Sequence, residues 1–158
     1  MMQNDESIKY VIVKIGHQKF GILVERIVDI LLPQKIFPIP LAPLEITGSI
    51  NLRGKIVTAL DIRKLLDINE SEGNSAKKCI IIEYNGELFS FVVDEVGEVN
   101  YFLAGPLIKN PDNLSELWQE VSLGICPILA ESSAKEELTV ILNINKLLEY
   151  VVSRSNNA

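Results

Sequence analysis

Gly48-Ser49-Ile50-Asn51-Leu52-Arg53-Gly54-Lys55-Ile56-Val57, continued by Thr58-Ala59-Leu60-Asp61-Ile62-Arg63, reads as strand, tight turn, strand and then a helix start. Ile50 leads into the turn, and Lys55 to Leu60 returns as an apolar run. Gly54 is the turn residue that takes a positive φ at little cost, so it closes the hairpin. A turn of this kind holds Arg53 at a rigid tip, where its guanidinium meets a carboxylate or water.

Short strands flank this hairpin on both sides. Ile8 to Ile15, the turn Gly16-His17-Gln18 and Lys19 to Val24 form one hairpin, and Val28 to Leu32 is a run stopped by Pro33. Pro38 and Pro40 keep 36–40 extended and confine it to an edge or a connector. Cys79 to Tyr84, Asn85-Gly86 and Glu87 to Val93 carry the strongest short hairpin signal. Both arms are apolar on both faces, which implies burial between two layers. Strands follow at Val96 to Leu103, Leu123 to Leu129 and Leu138 to Leu142, with a helical turn near Ser115-Glu116-Leu117-Trp118. Asp61 caps a short helix over 61–67, and a helix over 143–152 closes the chain with Ile144, Leu147, Leu148 and Val151 on one face. Asn69 to Ala76 reads as a mobile surface loop. No internal repeat stands out. Some ten short strands with two short helices specify a mainly β chain of small barrels or a sandwich.

Composition bounds the function. The 158 residues suffice for one domain, or for two small subdomains sharing a core. The net charge of −6 opposes contact with a phosphate backbone, which needs clustered cations. The first residues, Met1 to Ser7, are polar and acidic, unlike a secretory signal, and no apolar run approaches the ~20 residues of a membrane helix. Cys79 and Cys126 stand apart and read as small buried apolar residues rather than a disulfide or metal site. A cytoplasmic protein is the expectation.

Catalytic chemistry is scarce. The one histidine, His17, falls in a hairpin turn with no Ser or Cys beside it. One His and two Cys cannot complete the usual zinc set. Phosphate-binding glycine loops are absent. Asp94 and Glu95 end a strand, where solvated carboxylates are common. No catalytic residue, cofactor or metal is expected, which leaves an interaction module.

Several segments in order resemble the CheW family of chemotaxis adaptors. They are Phe20-Gly21-Ile22 through Asp29-Ile30, Ile39-Pro40, Ala42-Pro43, Gly48 through Val57, Asp61-Ile62-Arg63, Val92-Val93-Asp94-Glu95-Val96 and Ile141 through Leu148. Thr58 stands where the family often has Pro, and Leu31 where some members have Arg. The resemblance implies two five-stranded SH3-like β-barrels around a shared apolar core, forming one domain over 7–152 with flexible termini at 1–6 and 153–158. It also implies an adaptor that binds without catalysis. Its partners would be the regulatory domain of a CheA-type histidine kinase and the cytoplasmic tip of methyl-accepting chemoreceptors, with weak self-association in arrays. The receptor tip would lie in the groove between the barrels near Asn51, Leu52, Arg53 and Gly54. In the family an acid at the position of Asp29 accompanies the turn arginine, so Arg53 is expected to pair with Asp29, or failing that Glu25. Leu31 would bear on partner choice, toward a flagellar or a paralogous pili or gliding kinase. Small barrels also bind ligands or nucleic acid, and an orphan binding barrel is the alternative. The expected core comprises Ile50, Ile56, Ile80, Ile82, Phe91, Val93 and Ile141.

Overall fold

The computed structural model describes residues 7–69, 77–103, 108–112, 114–129 and 136–156. The tail 1–6 and, apart from Asn69, the loop 69–76 lie outside them. The strands are β1 (Ser7–Ile15), β2 (Gln18–Leu23), β3 (Ile27–Leu31), β4 (Ile46–Leu52), β5 (Lys55–Leu60), β6 (Lys78–Tyr84), β7 (Glu87–Val93), β8 (Glu95–Leu103), β9 (Ser122–Leu129) and β10 (Glu136–Leu142). The helices are α1 (Ile62–Leu65), α2 (Glu116–Val121) and α3 (Ile144–Asn156). Two-residue turns close the β4–β5 and β6–β7 hairpins. Arg53 and Gly54 take φ of 52° and 82°, and Asn85 and Gly86 take 50° and 79°. Positive φ at both central residues matches the right-handed twist of the flanking strands.

The strands form two five-stranded sheets, each curled into a small barrel. Their orders are β8-β1-β2-β10-β9 and β3-β6-β7-β5-β4. Both repeat one plan: an antiparallel hairpin (β1–β2 or β6–β7) whose second strand pairs in parallel with β10 or β5. The partners are exchanged along the chain. Hairpin β1–β2 joins β8, β9 and β10, whereas β6–β7 joins β3, β4 and β5. The chain therefore crosses between barrels twice, through the 3₁₀ turn Val24–Arg26 and through the single residue Asp94.

This plan is an internal repeat, which the sequence reading did not detect. Leu60-Asp61-Ile62-Arg63-Lys64-Leu65-Leu66 answers to Leu142-Asn143-Ile144-Asn145-Lys146-Leu147-Leu148. Asp61 Oδ1 accepts the Lys64 N–H at 3.2 Å, and Asn143 Oδ1 accepts that of Lys146 at 3.1 Å. Each carboxylate or amide thus caps the first turn of a helix. The Asp61 N–H donates to Glu45 O at 2.8 Å, and the Asn143 N–H donates to Val121 O at 2.7 Å. A register shift follows each contact, at Gly48 and Gly124.

Period-two alternation divides the buried side chains among three cores. Cys79 and Ile81 of β6 point into one barrel with Ile50, Val57 and Ala59. Tyr10, Ile12 and Ile141 fill the other. Between the barrels lies the largest core, where Ile80, Ile82, Phe91 and Val93 meet Val13, Phe20, Ile22 and the apolar faces of α1 and α3. Trp118 of α2 stacks on Phe20 with centroids 5.7 Å apart, and its indole N–H donates to Leu66 O at 3.2 Å.

One expectation of the core needs correction. Ile56 is 78% exposed rather than core. The tight turn pairs Leu52 with Lys55 and hence inward Ile50 with Val57, which turns Ile56 outward. Helix α3 runs to Asn156. In its last turn the Arg154 guanidinium donates to the buried Glu45 carboxylate at 2.8 Å and lies 5.4 Å from the Tyr150 ring.

Phe91→Ala should cost roughly 3–5 kcal/mol in a urea titration, whereas Ile56→Ala should stay within about 0.5 kcal/mol of wild type. Fragments 1–69 and 77–158 should each be unfolded alone by circular dichroism and become mainly β when mixed, because each barrel draws strands from both.

Candidate functional site

Among the described residues no three His, Cys, Asp or Glu side chains gather closely enough to hold a metal ion. Burial pushes the Cys126 thiol up, the wrong direction for a nucleophile. Burial, and secondarily the charge of Cys126, pushes the Tyr10 phenol up. Asp94 is not the solvated carboxylate expected at a strand end: it is 8% exposed. Its Oδ2 accepts the Gly16 N–H at 2.6 Å, and its own N–H donates to Lys14 O at 2.8 Å. Gly16, at φ 62°, leaves no room for a Cβ, which would sit 2.6 Å from Asn69 O. Asp94 thus fastens the crossover between the barrels to the β1–β2 turn. A cavity of about 20 Å³ beside it, lined by Asp61, Arg63, Lys77 and Asp94 among others, has room for one water molecule.

The β4–β5 hairpin is a different kind of feature. Asn51, Arg53, Gly54, Lys55 and Ile56 are all exposed, and Leu52 is half-buried against the barrel interior. The Asn51 carboxamide Oδ1 accepts the Gly54 N–H at 3.2 Å, so the turn carries its own brace. Nothing lies within 4 Å of where a Gly54 Cβ would stand, so the tip is open. Holding Arg53 left-handed costs roughly 1–2 kcal/mol relative to an ordinary backbone. The two-residue turn sets this conformation and leaves the guanidinium exposed at the tip.

The structure does not bring the other expected site residues to this tip. No ion pair joins Arg53 to Asp29 or to Glu25. Asp29 Oδ1 instead accepts the N–H of its neighbour Ile30 at 2.8 Å. Leu31 is half-buried and packs against the barrel interior opposite Cys79.

The segment between β3 and β4 adds residues the sequence reading passed over. Phe37 exchanges two 2.8 Å backbone hydrogen bonds with Ser49 and so lies along the β4 edge. Gly48 permits this approach, since a Cβ there would stand 2.3 Å from Phe37 O. Leu41 is left-handed at φ 60° and almost fully exposed. The Pro38 and Pro40 spacing pointed to an edge or connector but not to exposed apolar side chains.

Comparison with known proteins places this geometry in context. The model of the CheW-like domain matches residues 9–152. The Chemotaxis protein CheW of Helicobacter pylori is 20% identical over 146 residues, covering 92% of this chain and 84% of that protein. The Bacillus subtilis protein of the same name is 31% identical over 91 residues, 58% of either chain. The crystal structure of the scaffolding protein TtCheW from Thermoanaerobacter tengcongensis superposes with a TM-score of 0.78 at 23% identity, over 93% of this chain and 91% of that one. The shared fold is a pair of SH3-like barrels.

Arg53→Gly relieves the left-handed strain, so its unfolding midpoint in guanidinium should equal or exceed wild type, by up to about 1 kcal/mol. A double-mutant cycle on stability between Arg53 and Asp29 should give coupling below about 0.5 kcal/mol.

Proposed function

Since the chain belongs to the CheW-like domain family, we propose that it is a non-catalytic adaptor that couples chemoreceptors to a CheA-type histidine kinase. The observation that carries this reading is the family match, which spans both barrels and both crossovers. The geometry supports it by offering a rigid surface built for contact rather than a reaction centre. The receptor contact belongs to the Asn51–Gly54 turn, and the kinase contact to exposed strand and loop surface on the barrel ends. The protein acts in the cytoplasm and reaches the membrane only through receptors. Among the described residues no helix is long and apolar enough to cross a membrane. Each contact can be weak singly, because an array presents many copies and raises the effective concentration of each site.

The test is a pull-down of the full chain with a CheA-type regulatory domain and, separately, with a receptor-tip fragment from the same organism. Both should be captured at tens of micromolar protein, and capture of neither removes the adaptor reading. Arg53→Gly should keep the fold and lose at least tenfold in receptor-tip affinity while holding the kinase domain normally.

A further inference from the structure

Glu45 is the most deeply buried charged side chain among the described residues, at 3% exposure. The fold does not require a charge there. The Asp61 N–H donates to Glu45 O just as the Asn143 N–H donates to Val121 O, so Glu45 and Val121 hold equivalent positions in the internal repeat. Val121 is a fully buried member of the shared core. A buried ion pair is a weaker source of stability than apolar side chains of similar volume. The Glu45 carboxylate therefore calls for a role that valine cannot fill.

Its partner comes from a second break in the repeat. Helix α1 has four residues and α3 has thirteen. Leu66, which answers to Leu148, caps α1, and the left-handed Asp67 at φ 53° ends it. Helix α3 runs on past Leu148, and this extension carries Tyr150, Val151 and Arg154. Val151 packs into the shared core. The Arg154 guanidinium donates to Glu45 Oε1 at 2.8 Å and lies 5.4 Å from the Tyr150 ring one turn back. Helix α3 continues β10 of one barrel, while Glu45 opens β4 of the other. At the start of α3, Arg26 of the crossover donates to Asn145 Oδ1 at 2.6 Å and to Glu83 O at 3.3 Å. Arg154 stands about 14 Å further along the helix, at a rise of about 1.5 Å per residue. The shared apolar core holds the barrels together without direction. A directional tie this far from the crossover resists rotation of one barrel against the other.

We propose that α3 is a strut that fixes the angle between the two barrels, with Arg154 and Glu45 as its positioning residues. The angle sets the shape of the groove between the barrels. The consequence for binding rests on the adaptor reading, which puts the receptor tip in that groove. A partner that touches both barrels depends on the pair, and a partner that touches one barrel end does not.

The test is a set of residual dipolar couplings measured by NMR on the isotopically labelled full chain. In wild type one alignment tensor should fit the amides of both barrels. Glu45→Val copies the residue at the equivalent position of the repeat. It should therefore unfold at a urea concentration no lower than wild type, yet require a separate tensor for each barrel. Arg154→Gln should require separate tensors as well, whereas Arg154→Lys, which keeps the charge, should stay closer to wild type. In the Glu45→Val background, Arg154→Gln should change the couplings no further. Glu45→Val and Arg154→Gln should each bind a receptor-tip fragment at least fivefold more weakly, and a CheA-type regulatory domain within twofold of wild type. One tensor for both barrels in either of these variants overturns the proposal. Receptor-tip affinity within twofold of wild type, in a variant that needs two tensors, overturns the link to binding. A wild type that binds no receptor tip removes the adaptor reading instead, and the couplings still decide the strut.

Discussion

Burial of β6 and β7 on both faces is the constraint on which the rest of the molecule depends. Ile80 and Ile82 point between the barrels while Cys79 and Ile81 point into one of them. A strand apolar on both sides must be covered on both sides, so one barrel cannot stand with its outer face in water. The second barrel and helices α1 and α3 provide that cover. The exchange of strands between halves makes the arrangement obligatory, since neither hairpin completes a sheet with the three strands adjoining it on its far side in the repeat. The polar contacts cluster where the chain crosses. Asp94 holds the β1–β2 turn at one crossover, and at the other the Arg26 guanidinium donates to Asn145 Oδ1 at 2.6 Å.

A well-packed interior lets the surface hold unfavourable conformations. Two left-handed, non-glycine, exposed residues persist only where their surroundings over-determine the backbone. At Arg53 the Asn51 brace and the two-residue turn do this, and near Leu41 the Phe37–Ser49 bridge anchors the segment on one side. The exposed hairpin tip and the core are coupled through β4 and β5. Ile50 and Val57 face inward, and Asn51 and Ile56 on the same two strands face out.

Much of this was legible in the sequence because local signals and the fold agree. Asn85-Gly86 and Arg53-Gly54 sit in two-residue turns, Asp61 caps its helix, and the double-sided runs mark the shared core. Ile56 was misjudged although the register rule was available. A two-residue turn pairs Leu52 with Lys55, and counting back from there puts Ile56 on the face opposite Ile50. Other features depend on separations that no local pattern encodes. Asp94 lies 78 residues from Gly16, and Arg154 lies 109 from Glu45. Asp29, expected beside Arg53, instead caps the N–H of its own neighbour Ile30, a local contact that hairpin signals do not reveal. The repeat escaped notice because its strands are exchanged and its two copies differ in loop length, although Leu60 to Leu66 and Leu142 to Leu148 show it once aligned.

The parallel pairing of β2 with β10 sets an order of events during synthesis. Lys19 lies beside Thr139, so β2 waits for a partner strand 120 residues further along the chain. At roughly 5–20 residues per second, that delay is on the order of 6–24 s. Strands β3 to β7 are contiguous in the chain and can pair in the meantime, with the outer faces of β6 and β7 still lacking most of their cover. Phe20 and Ile22 lack the cover of β10 and α3 over the same interval and have only β6 and β7 to pack against. At that stage the chain holds the paired strands β3 to β7 joined, through the turn at Val24–Arg26, to a hairpin whose own sheet is still incomplete.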